Sequence, residues 1–173
     1  MFLVGDQSSY RERRIRAFLR DEPAIAVLLS AAHFEWTVSR TLLFLSKSPN
    51  VELRERLMRC SGLKRYCELW EKELGHISSY KALSAVVTNW SLFMEAFQLR
   101  HGLIHGRETC TRNTATLEVE AILLAAGQVR EFCSSQGIDL HKRLPIRPRN
   151  KNSNEPARPA VAPPKAWAAN HRN

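Results

Sequence analysis

Asp21–Lys47 reads DEPAIAVLLSAAHFEWTVSRTLLFLSK, and its periodicity decides the fold class. Ile25, Leu28, Leu29, Ala32, Trp36, Leu43 and Phe44 recur at the three-and-four spacing of one helix face. Asp21 is placed to cap this helix. Pro23 falls in the first turn, where a missing N–H costs nothing, and Ser48-Pro49 ends the helix. The same grammar extends to both sides. Upstream, Ser8 or Ser9 opens an Arg-rich helix through Arg20. Downstream, Asn50 caps a short helix to about Cys60, Gly62 breaks it, and Leu63–Leu74 form another with Gly75 as C-terminal cap. Ser78 or Ser79 opens a long apolar helix through Leu83, Val86, Val87, Trp90, Phe93, Met94 and Phe97 to about His101. A last helix starts near Asn113 or Thr114, carries Leu117, Ile122, Leu123, Leu124, Val129 and Phe132, and stops at Gly137. No segment alternates between hairpin turns. The expected fold class is all-α: one helical bundle over residues 1–140.

Residues 141–173 differ in kind. They hold six of the eight prolines, eight Lys or Arg and a single acid, Glu155, and so carry most of the chain's net charge of +9. With few apolar side chains apart from Trp167, this stretch is expected to be a disordered basic tail. It either attracts polyanions without reading sequence or keeps the chain soluble, and both readings stay open. The bundle itself is nearly neutral. With 44% hydrophobic residues the chain can form a core without disulfides. Cys60, Cys67, Cys110 and Cys133 include no Cys-x-x-Cys pair; Cys67 and Cys133 lie among apolar neighbours and read as buried thiols in a reducing compartment. The longest nearly apolar run, Ala24–Ala32, is far short of the roughly 20 residues a membrane span needs. Met1–Val4 is too short, and lacks the basic start, for a secretory signal.

One constellation carries chemistry. Gln98-Leu99-Arg100-His101-Gly102-Leu103-Ile104-His105-Gly106-Arg107 closes the long apolar helix. If the backbone stays helical through Gly102, His101 and His105 lie one turn apart on one face; if it uncoils there, His105 still sits at a helix end near Arg100. Either way an acid–base group adjoins a permanent cation. That pairing suits a reaction that develops negative charge, such as cleavage of a phosphodiester.

Arg100-His101-Gly102-Leu103-Ile104-His105 resembles the signature of the HEPN superfamily: an Arg, often followed by a polar residue, and a His a few positions on, at the end of a long helix just before the last core helix. Many members read Arg-Asn, and His101 is a common variant. The resemblance implies a HEPN-like bundle acting as a metal-independent endoribonuclease with no cofactor. His105 is then the general base on a ribose 2′-hydroxyl. The 2′-oxygen attacks the adjacent phosphorus and leaves a 2′,3′-cyclic phosphate and a 5′-hydroxyl. Arg100 stabilises the charge of the transition state, a role its fork geometry suits. His101 assists as acid or holds the phosphate, and Arg107 binds substrate. The resemblance further implies a homodimer whose two motifs face one cleft, and a cytoplasmic toxin or defence protein of a prokaryote. An antitoxin partner, commonly nucleotidyltransferase-like, holds such a toxin in check. The alternative is a non-catalytic HEPN-like module that binds RNA or a partner protein. In that case Arg100 pairs with Glu95 or Glu35, and the histidines cap the helix C-terminus, where cations are favoured.

Other features rank lower. Arg13, Arg16 and Arg20 share a face of the first helix, so Arg13 and Arg16 join the substrate-binding candidates; a solvated face is the plainer reading. Glu73-Leu74-Gly75-His76 has the Glu-x-x-His spacing of di-iron bundles but no second copy, so no metal site is expected. His33 reads as a core histidine, and Glu35 as a residue that can reach the motif and tune His105. No phosphate-binding glycine loop, nucleophilic-serine motif or dinucleotide fingerprint is present.

Overall fold

The computed structural model describes residues 7–148; the first six residues and 149–173, hence most of the expected disordered tail and Trp167, lie outside the described residues. The described chain is all-helical: α1 Ser8–Phe18, α2 Pro23–Leu45, α3 Asn50–Met58, α4 Leu63–Leu74, α5 Leu83–Val86, α6 Trp90–Ile104 and α7 Arg112–Ser135. Among the described residues, no helix is long and apolar enough to cross a membrane.

The two longest helices, α2 and α7, make the most extensive pairing, and α6 packs on both. Small side chains line the buried face of α2: Ala26, Ser30, Ala31, Thr37 and Thr41. On α7 they are Ala115, Ala121, Ala125 and Ala126. The hydroxyls cause no penalty there, because Ser30 donates to the Val27 carbonyl, Thr37 to His33 and Thr41 to Thr37 within the helix. The buried stripe is therefore rotated from the one expected. Ile25 is 39% exposed, while Leu117 and Leu124 on α7 are 69% and 57% exposed. Large side chains fill the space on either side. Phe34 lies 4.5 Å from Phe93 and 5.8 Å from Phe97, ring to ring. Trp70 is fully buried with its indole N–H donated to the Lys81 carbonyl at 2.9 Å. A second cluster of Ile15, Val27, Leu99, Val119 and Leu123 seats the C-terminal half of α6 against α1, α2 and α7.

The single helix expected over 78–101 is interrupted. Val87 turns extended after α5, and Asn89 starts α6 by accepting the Leu92 N–H on its side chain. Three β-branched residues, Val86-Val87-Thr88, disfavour helix here, and Asn89 offers a cap. Gln128 of α7 holds the break by bonding both the Thr88 N–H and its hydroxyl. The expected Asp21 cap does not form: Glu22 occupies the cap position without a side-chain bond, and Pro23 sits first in the helix as read. Thr111 caps α7 by accepting the Thr114 N–H. Cys133 is buried as read, but Cys67 is only half-buried.

Two polar devices fasten the far end of α2. Residues 141–148, the start of the basic stretch, run back along it. The Arg147 guanidinium donates to the carbonyls of Leu43, Phe44 and Ser48, satisfying the helix C-terminus. Arg40 donates to the Leu140 and Lys142 carbonyls. Beside this, the buried Glu73 of α4 accepts from Ser46 at 2.5 Å and from Arg56 of α3. Burial pulls Glu73 upward, but hydrogen bonds from Ser46 and Ser48 and the Arg56 charge outweigh it and hold the carboxyl below its usual range. A carboxyl lowered on folding adds stability above its unfolded pKa, and that stability is lost as the pH falls through the folded value. Urea unfolding should therefore show the wild type losing stability below about pH 4.3, the ordinary Glu value. Glu73→Gln should flatten that part of the profile while lowering stability at neutral pH.

Candidate functional site

The end of α6 is shaped by its glycines. The helix continues through Gly102 to Ile104, and His105 is its C-terminal cap. Gly106 takes φ +62°, the left-handed conformation that favours glycine. Its N–H bonds the Leu103 carbonyl, and the Arg107 N–H reaches back to the Gly102 carbonyl at 2.9 Å. This turn reverses the chain, so Arg107 and Glu108 come back over the last turn of α6. Gly102 makes room for them: a Cβ there would lie 2.6 Å from the Glu108 side chain.

A cleft of about 430 Å³ opens at this point. Arg100, His101, Arg107, Glu108 and Lys64 line it, and Phe97, Met94 and Leu63 supply apolar wall. Arg100 lies with its guanidinium carbon 5.9 Å from the Phe97 ring centre and its Nη2 3.4 Å from Glu35 Oε1. Glu35 thus reaches the motif from α2, as the sequence allows, but its partner is Arg100 and not His105. Burial raises the Glu35 carboxyl, with the Arg100 charge opposing. Tyr66 of α4 lies near enough to feel both charges; burial, then Glu35, raise its phenol. Glu95 is exposed and does not pair with Arg100.

His101 and His105 are exposed, with ring centres 4.4 Å apart edge to face. The helical alternative is thus the one adopted. His101 lines the cleft, while His105 stands behind it and is not part of the lining. His105 is five positions after Arg100, about 140° around an ideal helix, so the two project in different directions from one protomer.

Of the sequence candidates, Arg100, His101 and Arg107 meet in one cleft, with His105 against His101. Arg13 and Arg16 do not join them. Arg16 is held by Glu120 through a two-point bond at 2.7 and 2.8 Å, and Arg13 lies over the Tyr10 ring. Lys64 escaped sequence reading because only tertiary structure brings it in, and Glu108 because the turn at Gly106 that folds it back over Gly102 was not read from the sequence. Met94 and Phe97 were legible as wall, since they precede His101 by seven and four positions on one helix.

A larger depression, about 620 Å³, lies between α7 and the segment after it. Most of its polar groups are engaged by neighbours. Arg130 pairs with Glu12 at 2.7 Å, the His141 N–H bonds Asp139, and its ring meets Ser8 at 3.2 Å. Behind it His33 is buried, as read, 3.6 Å from Glu12. Burial lowers the His33 imidazole, and Glu12 only partly opposes this. This cluster is a structural joint. Among the described residues no group of three His, Cys, Asp or Glu side chains is placed to hold a metal ion, and Glu73 is occupied by Ser46 and Arg56.

Comparison with protein-family models gave no match, and searches of curated proteins and of solved structures likewise found no significant match. Gly106→Ala should cost about 1–2 kcal/mol, the usual penalty of a left-handed non-glycine residue. Urea unfolding measures it; an unchanged midpoint would mean that the turn does not hold the end of α6.

Proposed function

We propose that the chain is a metal-independent endoribonuclease of the HEPN type, cleaving RNA by attack of a ribose 2′-oxygen on the adjacent phosphorus. The observation that carries this reading is the cleft that gathers Arg100, His101 and Arg107 beside an apolar wall, with His105 in ring contact with His101. A permanent cation next to an imidazole suits a phosphate that gains charge at the transition state. His105 takes the proton from the 2′-hydroxyl, and Arg100 exchanges Glu35 for a phosphate oxygen. His101 or a histidine of a second copy returns a proton to the leaving 5′-oxygen, so bonds and protons balance. Because Arg100 and His105 diverge on one helix, a homodimer that sets two helix ends across one cleft fits the chemistry better than a monomer. A toxin or defence role in the cytoplasm, restrained by a nucleotidyltransferase-like antitoxin, follows from the same reading.

The test is cleavage of mixed RNAs by the purified full chain in EDTA. Arg100→Ala and His105→Ala should each lose about 100-fold or more in rate, the usual scale of acid–base and electrostatic contributions. Cleavage that survives in both variants removes the site from α6.

A second reading is favoured by one contact, the Arg100–Glu35 pair, which gives Arg100 a structural partner. In that reading the cleft belongs to a non-catalytic module that binds RNA or a partner protein. Glu35→Gln separates the two. If Arg100 serves a phosphate, freeing it should tighten RNA binding in a filter-binding assay. If the pair is structural, the variant should lose thermal stability and leave RNA affinity unchanged.

A further inference from the structure

The cleft wall formed by the α3–α4 turn has a second side. Beyond it lies a groove of about 460 Å³ lined by Arg56, Arg59, Arg65 and Lys72. Ser61 lines this groove while Gly62, Leu63 and Lys64 line the cleft. The two depressions are therefore separated by one step of the chain, about 3.8 Å between Cα atoms. Lys64 and Arg65, neighbours at the start of α4, serve one each.

The charges in the groove are not all committed. Arg56 is held by Glu73 and Glu52. Arg65 meets Glu68 at 3.1 Å in an exposed pair, which an incoming anion can replace at little cost. Arg59 and Lys72 are exposed and form no ion pair among the described residues; the same holds for Lys64 across the turn. The start of α4 adds to them. No side chain caps it and no acid lies in its first turn, so its free amides face the same region with positive potential.

We propose that this groove is a phosphate-binding track for single-stranded RNA, continuing the substrate path from the cleft across the α3–α4 turn. It rests on the ribonuclease reading of the cleft, and it adds the form of the substrate. The cleft's Phe97, Met94 and Leu63 wall suits an unstacked base, which a duplex does not offer, while the groove is less apolar than the cleft and carries the cations, with Glu68, Leu69 and Cys60 between them. A strand with one base in the cleft passes its neighbouring phosphates over Lys64 to Arg59, Arg65 and Lys72. These contacts bind without reading sequence.

The test uses uncleavable 2′-O-methyl RNA, the full chain, and the variant Arg59→Gln/Arg65→Gln/Lys72→Gln. All three residues are exposed, so the fold should survive, which circular dichroism checks. Fluorescence anisotropy is read with a trinucleotide and with an oligomer of about twelve nucleotides, a usual single-strand site size, from about 50 to 200 mM salt. The variant should bind the longer RNA about tenfold more weakly at low salt, with a salt slope shallower by about two, as expected for three lost phosphate contacts. The trinucleotide should lose much less. Equal affinity and slope in both proteins, or no binding of the longer RNA by the wild type, overturns the track. So does a loss confined to a poly-glutamate probe with RNA unaffected, which makes the groove a protein interface. If the variant loses the longer RNA and the wild type cleaves nothing, the track stands and the catalytic reading falls.

Discussion

The structure depends on the contact between α2 and α7. Alanine, serine and threonine on the buried face of α2, and alanine on that of α7, sit among larger apolar residues along this pairing, and the hydroxyls on α2 are satisfied by their own helix. The pairing of two helices of 23 and 24 residues makes the platform of the bundle. The bulky groups, Phe34, Trp70, Phe93 and Phe97, then pack beside the seam, and α6 is laid on it. A large residue in the seam would force the helices apart and move α6 with them.

That placement connects packing to the candidate site. Leu99 is buried in the cluster between α1, α2 and α7, which fixes the rotation of α6. With that rotation set, Arg100 faces Glu35 of α2 and the α4 wall, while His101 and His105 face outward. Gly106 then returns Arg107 to the same opening. The Glu35–Arg100 pair is partly buried on both sides. It holds the guanidinium in position yet leaves an edge in the cleft, a geometry suited to exchange with a phosphate.

The all-helical class, the ends at Gly75 and Gly137, and the clustering of Arg100, His101 and His105 were legible in the sequence, because glycine, proline and apolar spacing are local signals; the sequence reading counted one helix where α5 and α6 are separate. The break at Val87–Asn89 was written in its β-branched run and in Asn89, but the apolar periodicity across it masked the signal. The rotation of the α2 and α7 stripes was not legible. A search for large apolar residues picks Ile25, Leu117 and Leu124, while half of the buried positions of α2 are alanine, serine or threonine, which such a search discounts. Arg16 looked like a free cation because Glu120 lies more than a hundred residues away in the sequence. Lys64 entered the cleft through tertiary structure, for which single-sequence spacing has no signature.

The most direct measurement of the central claim is the chemistry of the RNA ends left by the protein. Attack by the 2′-oxygen predicts 2′,3′-cyclic phosphate and 5′-hydroxyl termini, and no cleavage where the scissile nucleotide carries a 2′-deoxy sugar. Fragments with 3′-hydroxyl and 5′-phosphate ends, or cleavage that ignores the 2′-deoxy substitution, would contradict the account.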